Sequence, residues 1–333
     1  MIDSKMSDSS VLDAVGRKRM LVTERGRFAP SPTGELHLGN ARTALLAWLW
    51  ARAGQGGFTL RVEDLDRPRV RPGLAERQLE ELRWLGLDWD EGPGAGGERG
   101  PYFQSERSGL YDEALAQLGD HIYECFCSRA EIASASAPHG PADDGPRYPR
   151  TCAELSLDQR SERRRTRAPA LRLRVPAGVV QFDDELRGAQ AFDPQAQVGD
   201  FVLRRADGIH AYQLAVVVDD AAMAITQVLR GADLLPSTAR QIILHRLLGN
   251  PAPRWAHAPL VVGADGLRLA KRDRSSSLSA LRERGVDPRL IVAHLARLSG
   301  LEAPLACTPR ELVPRFRLDA VLRGEVVLTG LPD

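Results

Sequence analysis

The stretch Arg27-Phe28-Ala29-Pro30-Ser31-Pro32-Thr33-Gly34-Glu35-Leu36-His37-Leu38-Gly39-Asn40 runs from a strand through a proline-set turn into a helix. Pro30 and Pro32 fix their φ angles and Gly34 tolerates any, so the turn is short and stiff. Gly39 opens a segment, residues 38–53, whose apolar residues recur at helical spacing. A helix start of this kind offers unpaired N–H groups to phosphate, and glycine lets a flat base approach closely. His37 and Asn40 can donate hydrogen bonds to phosphates during a displacement. Taken alone, the same residues also describe an ordinary strand-to-helix turn with a surface histidine.

Working outward, residues 58–63 read as a second strand, and helical stretches at about 72–86 and 106–120 continue an alternating β/α pattern. That pattern predicts an α/β fold, a mainly parallel sheet covered by helices. The rhythm breaks after about 122. A Ser/Ala/Pro/Gly-rich run spans 133–145, and short apolar strands stand at 171–175 and 179–182, so 123–195 reads as an inserted subdomain. The β/α pattern resumes with apolar segments at 201–205, 212–218 and 225–230, a helix from about 237 to 248 and a strand near Leu260. Helices near 276–284 and 288–299 follow. The expected organisation is a disordered extension, 1–25; the first half of a nucleotide-binding fold, 26–122; the insert, 123–195; the second half, 196–262; and a lysine loop with a short helical C-terminal segment, 263–333.

With 43% hydrophobic and 27% charged residues, a chain of 333 can bury a sizeable core. No uncharged apolar run of membrane-spanning length and no apolar signal core appear, so no membrane partner is expected. Four cysteines, Cys125, Cys127, Cys152 and Cys307, are too few and too uneven for a disulfide framework, which points to a cytoplasmic protein. A net charge of +1 leaves any nucleic-acid contact to local patches. Lys5, Lys18 and Lys271 are the only lysines among 45 basic residues, so the lysine at 271 asks for a reason.

Lys271 lies in Arg268-Leu269-Ala270-Lys271-Arg272, after the glycine-hinged turn Gly263-Ala264-Asp265-Gly266. Its compact, mobile charge suits a pyrophosphate leaving group; the other reading is a solvated basic turn. Together, the His37-x-Gly39-Asn40 turn and a basic lysine loop over two hundred residues later resemble the two signatures of class I aminoacyl-tRNA synthetases. Arg61-Val62-Glu63-Asp64-x-Asp66, Tyr212-Gln213-Leu214-Ala215-Val216-Val217-Val218-Asp219-Asp220 and Val228-Leu229-Arg230-Gly231-Ala232-Asp233-Leu234 are similar to the glutamyl group of that class. The resemblance implies a Rossmann-type parallel sheet and a tRNA-independent reaction of L-glutamate with ATP, carrying Mg²⁺, to glutamyl-adenylate. It implies that Arg27, Phe28, Ala29, Pro30 and Ser31 line the amino-acid site, that Glu63 takes the α-ammonium, and that Tyr212 and Arg230 bind the carboxylates. His37, Gly39, Asn40 and Lys271 would bind ATP, with His37, Asn40 and Lys271 stabilising the transferring group. Ala270 and Arg268 depart from the family's usual serine and lysine, which weakens the expected loop closure.

Cys125-Phe126-Cys127 followed by Tyr148 and Cys152 reads either as reduced cytosolic thiols or as three sulfurs and a phenol around Zn²⁺. A similar Cys-x-Cys, Tyr-x3-Cys set occurs in glutamyl-Q tRNA(Asp) synthetases, and that resemblance implies one structural zinc per chain. The run Arg160, Arg163, Arg164, Arg165, Arg167 is either a phosphate-binding patch or a solvated helix face. The 62 residues after Lys271 are fewer than an anticodon-reading domain needs. In this the chain resembles the glutamyl-Q tRNA(Asp) synthetases, and that resemblance implies the queuosine base in the anticodon of tRNA(Asp) as acceptor; the expected state is a monomer. A short glutamyl-tRNA synthetase charging a tRNA 3′ end and a silent RNA-binding relative are the alternatives.

Overall fold

The computed structural model describes residues 10–12, 18–20, 24–128, 130–132, 147–263, 276–328 and 330. Within the segment expected to lack structure, 1–25, it places two short strands, β1 (Ser10–Leu12) and β2 (Lys18–Met20), paired antiparallel. Then come β3 (Arg25–Phe28), α1 (Leu38–Ala53), β4 (Gly57–Leu60), α2 (Leu74–Trp84) and α3 (Ser108–Leu118). They follow the order and nearly the bounds expected from periodicity. β3 and β4 pair in parallel, and Arg25–Phe28 sits beside β10 (Gln227–Gly231) through Thr226 N donating to Arg25 O at 3.0 Å.

α1 is buried nearly all round, with Leu38, Leu45, Leu46, Trp48 and Leu49 at 1% exposure or less. Such a helix forms the centre of a core, where each fully buried leucine contributes about 1.5–3 kcal/mol. Arg42 inside it donates from Nε to Ser299 Oγ at 2.9 Å and from Nη1 to Pro259 O at 2.7 Å, which ties the helix to segments more than two hundred positions later.

The insert begins with β5 (Ile122–Cys125), helix α4 (Leu157–Arg164) and β6 (Ala170–Leu173). The strand pairing crosses the boundary expected at 195. The strands β7 (Val180–Asp184) and β8 (Gly188–Phe192) leave the insert and join the main sheet, in the order β10, β11 (Arg254–Ala258), β7, β8. β9 (Val202–Arg204), expected in the second half of the nucleotide fold, instead completes a three-stranded antiparallel sheet with β5 and β6. Strand pairing across tens of residues, such as Asp184 with Trp255, is invisible to local pattern.

The segment 212–218 takes its form from packing. This apolar, valine-rich segment is the first part of helix α5 (Tyr212–Ala222), buried from Leu214 to Asp220 between the sheet and α6 (Leu235–Leu247). Full burial lets tertiary packing override the strand preference of three consecutive valines. β12 (Val261–Val262) and β13 (Val326–Val327) pair in parallel as a separate two-stranded sheet, with α7 (Leu278–Glu283) and α8 (Pro288–Leu298) between them in sequence. No helix among the described residues is long and apolar enough to cross a membrane.

One buried acid in α2 makes stability depend on pH. Burial, then the neighbouring Glu35 carboxylate, push Glu81 up to about 7. A carboxyl group whose folded pKa lies above its unfolded value favours folding most when protonated, and that contribution fades as pH rises through about 7. Glu81→Gln is expected to melt a few degrees above the wild type at pH 8, with the gap closing towards pH 5. A gap that is constant across this range would contradict the assignment.

Candidate active site

β3 and β10 both end at a cavity of about 700 Å³. Its walls include Arg27 to Ser31 at the end of β3, His37, Gly39 and Asn40 at the start of α1, Glu63, Tyr212, and Arg230 with Gly231 at the end of β10. Adjacent parallel strands that part at their carboxyl ends leave the crevice in which open α/β sheets bind ligands. All the glutamate and ATP residues expected from sequence, except Lys271, line this one cavity. Lys271, with Arg268 and Ala270, lies outside the described residues.

The turn is held by a residue far from it in sequence. Gln78, fully buried on α2, donates from Nε2 to Gly34 O at 2.7 Å and to Ser31 O at 3.3 Å. Glu63 N donates to Pro30 O at 2.9 Å, so the Pro30–Gly34 turn is pinned from two sides.

The start of α1 differs from expectation. The N–H groups of Gly39 and Asn40 donate to His37 Nδ1 at 3.1 and 3.3 Å, and Asn40 Oδ1 accepts from His37 N at 3.3 Å. The first amides are therefore capped by the histidine ring rather than left for phosphate. An Nδ1 that accepts carries no proton, so the neutral ring bears its hydrogen on Nε2, as a donor. Gly39 makes room for this fold: a Cβ there would lie 2.9 Å from His37 Nδ1 and Cε1. Gly39→Ala is expected to push the ring off the helix start, costing about 1 kcal/mol of capping. It should lower the turnover of ATP–pyrophosphate exchange roughly tenfold, since a misplaced donor loses its transition-state contact. Wild-type turnover in this variant would contradict the role of the cap.

The charges that start from Arg27, Glu63 and Arg230 on the cavity wall separate into two groups. Arg27 forks onto Asp220, Nε to Oδ1 at 3.3 Å and Nη2 to Oδ2 at 3.5 Å. Arg61, fully buried, reaches Asp220 at 2.7 Å, Glu63 at 3.1 Å and Asp219 at 3.5 Å. Arg107 meets Asp219 at 2.5 Å, where Tyr111 and Gln104 also donate. Three guanidinium groups thus face three carboxylates. Burial pushes the Asp220 carboxyl up, but Arg27 and Arg61 outweigh it and hold it below the usual carboxylate range. Burial raises Glu63, with Arg61 and Arg27 opposing.

Arg230 stands apart from this network. Only 4% exposed, it donates to His257 Nε2 at 3.0 Å, Thr238 Oγ1 at 2.8 Å, Leu234 O at 3.2 Å and Tyr212 Oη at 3.4 Å, and stacks over Trp255 at 4.6 Å. Every one of these described partners is neutral. Burial, and then Arg27, lower its affinity for a proton, although Tyr212 and Asp220 partly compensate. A buried guanidinium without a carboxylate in contact is costly in isolation, and an anion entering the cavity would complete it.

The insert carries a second cluster. The Sγ atoms of Cys125, Cys127 and Cys152 lie within 4.8 Å of one another. Tyr148 Oη is 3.2 Å from Cys125 Sγ and 3.8 Å from Cys127 Sγ, and Cys127 and Cys152 are 3.5 Å apart. Tetrahedral zinc with sulfur at about 2.3 Å and oxygen at about 2.0 Å sets ligand edges of roughly 3.5–3.8 Å, so the four side chains fit such an ion. Arg172 lies 3.8 Å over the Tyr148 ring, Arg163 Nη1 is 3.9 Å from Cys152 Sγ, and Phe126 N donates to that sulfur, surroundings that suit anionic ligands.

The family described as tRNA synthetases class I (E and Q), catalytic domain, matches residues 24–311. The chain belongs to that family. A glutamyl-Q tRNA(Asp) synthetase of Symbiobacterium thermophilum is 55% identical over 306 residues, which span 90% of this chain and 94% of the relative. A glutamate–tRNA ligase 2 of Alkalilimnicola ehrlichii is 48% identical over 306 residues, 90% of this chain and 64% of the ligase. Among solved structures, a glutamate tRNA ligase of Elizabethkingia meningosepticum in complex with its amino acid superposes with a TM-score of 0.81 at 30% identity, covering 92% of this chain and 67% of that one.

In this synthetase the flanks of the lysine loop meet the cavity on both sides. Val261 lines it, and Ser277 bridges to His37 while Leu278 N donates to Leu36 O at 2.8 Å. The arginine run is more committed than its sequence suggests. Arg164 grips Glu124 at 2.9 and 3.0 Å, Arg165 pairs with Glu162, and Arg167 with Glu131, while α4 buries no residue.

Proposed function

We propose that this synthetase condenses L-glutamate with ATP to glutamyl-adenylate without tRNA, and transfers the glutamyl group to the queuosine base in the anticodon of tRNA(Asp). The observation that carries the first half is Arg230. It is a buried cation with only neutral described contacts, in the same cavity as Glu63 and next to Tyr212. A ligand with carboxylates and an ammonium satisfies both ends: Arg230 and Tyr212 take carboxylate oxygen, Glu63 takes the ammonium, and Arg27 to Ser31 form the wall between them.

In the reaction a glutamate α-carboxylate oxygen attacks the α-phosphorus of ATP, and the bond from that phosphorus to the pyrophosphate oxygen breaks. His37, through Nε2–H, and Asn40 stabilise the charge that moves onto the phosphates, and Lys271 joins them from its loop. ATP enters with Mg²⁺ on its phosphates. In the second step a hydroxyl of the queuosine diol attacks the acyl carbon and AMP leaves. The acceptor is supported by the relative named for that activity, matched at 55% identity over 94% of its length. Cys125, Cys127, Cys152 and Tyr148 would hold a structural zinc that stiffens the insert, and the whole reaction belongs in the cytoplasm, where ATP and tRNA meet. The test is ATP–pyrophosphate exchange in the absence of tRNA: glutamate supports it in this account, and no exchange with glutamate removes the account.

A further inference from the structure

Arg230 reaches the cavity from a cage whose far wall is made of Asp184 and His257, residues that touch no part of the proposed substrates. Asp184 ends β7 and His257 lies in β11, where the strands run parallel with Asp184 opposite Trp255. Both side chains are buried, at 2% and 0% exposure. Asp184 Oδ1 accepts from the backbone N–H groups of Leu186 at 3.1 Å, Arg187 at 2.9 Å and His257 at 3.2 Å, so its carboxylate is fixed to the main chain. Its Oδ2 lies 2.6 Å from His257 Nδ1.

The tautomer follows from both ends. A carboxylate only accepts, so the imidazole proton sits on Nδ1. An arginine nitrogen only donates, so His257 Nε2, 3.0 Å from Arg230 Nε, presents its lone pair. Burial keeps this imidazole neutral, lowering it to about 4 against the pull of Asp184. With Nε held by His257 and Nη2 by Thr238 and Leu234, the guanidinium has one direction left for Nη1, towards Tyr212 and the cavity.

We propose that Asp184 and His257 are positioning residues for Arg230: the carboxylate fixes the imidazole with its lone pair on Nε2, and that lone pair aims the guanidinium at the substrate carboxylate. The proposal rests on reading Arg230 as the carboxylate site. It also gives β7, a strand reached through the insert, a part in amino-acid recognition. Asp184 to Arg230 forms a chain of three side chains on three adjacent strands, β7, β11 and β10, so the register of the sheet itself sets the angle of the guanidinium.

Three variants and one spectrum test it. His257→Asn keeps a donor for Asp184 and removes the acceptor for Arg230; Asp184→Asn frees the ring to choose the other tautomer; His257→Gln can restore an acceptor near Arg230. In pyrophosphate exchange, the first two are expected to raise the KM for glutamate at least ~10-fold with the KM for ATP within ~2-fold, and His257→Gln to recover part of the loss, as for a misaimed binding group. Parallel changes in both KM values, or none, overturn the proposal. Nitrogen-15 histidine spectra of the wild-type protein need no variant and no substrate: His257 should show the neutral Nδ1–H tautomer, and an Nε2–H ring or an imidazolium at pH 7 overturns the relay. If wild-type protein gave no exchange with glutamate, the glutamate reading would fall and the spectrum alone would decide the positioning.

Discussion

Arg230→Met is expected to lower kcat/KM for glutamate in pyrophosphate exchange by about 10²–10³ without lowering the melting temperature. The activity loss follows from removing one partner of a buried, hydrogen-bonded charge pair, which costs about 2–5 kcal/mol. The stability follows from the other side of the same fact. In the free protein the Arg230 guanidinium has neutral described contacts at Tyr212, Thr238, Leu234 and His257, so its burial is unfavourable until an anion arrives. Methionine fills similar space against Trp255 without that charge, and Thr238 Oγ1, 3.2 Å from His257 Nε2, can bond the ring in place of the arginine. A site that trades stability for binding loses the second and keeps the first. Arg230→Lys should recover little, because an ammonium cannot hold His257, Thr238 and a carboxylate in one planar fork. A large drop in melting temperature together with retained glutamate affinity would show that the guanidinium serves packing instead.

Cys152→Ser is expected to reduce the zinc content of the purified protein from about one per chain to near zero and to unfold the insert. The cluster of buried apolar residues around the knot consists of Tyr123, Cys125, Phe126, Tyr148, Cys152 and Ala153. Half of those six are proposed ligands, so little apolar packing remains to hold the loop once the ion is gone. Limited proteolysis should then cut near 147–175, where the wild type resists. Exchange of pyrophosphate should change far less than transfer to tRNA, since the cavity at β3 and β10 shares no residue with the knot. Wild-type protein that contains no zinc, or a variant that keeps both its zinc and its resistance, would contradict the structural ion.

The residues legible in the sequence are those whose constraint is local. Pro30, Pro32, Gly34 and Gly39 each answer a backbone requirement within a few positions, and the Cys-x-Cys and Tyr-x3-Cys pairs are short-range spacings. Arg230-Gly231 could be placed because an apolar strand stops there. What stayed hidden depends on pairing across the chain. Arg27 meets Asp220 over 193 positions, and Asp184 meets His257 over 73. β11, the strand between β10 and β7, was missed because Arg254-Trp255-Ala256-His257-Ala258 mixes charged and small residues between prolines and lacks a continuous apolar run. Residues 212–218 could not be assigned from their valines, because burial on both sides suits a strand and a core helix alike. The capping of Gly39 and Asn40 by His37 escaped notice for a different reason: histidine is an uncommon cap, and only the ring geometry reveals it.

The most direct measurement of the central claim is the transfer of labelled glutamate to two preparations of tRNA(Asp), one carrying queuosine and one lacking it, under identical ATP and enzyme concentrations. Label is expected on the queuosine-bearing tRNA and on no other. Equal labelling of the queuosine-free tRNA(Asp), or labelling of tRNA(Glu), would place the glutamyl group on a 3′ end and contradict the account.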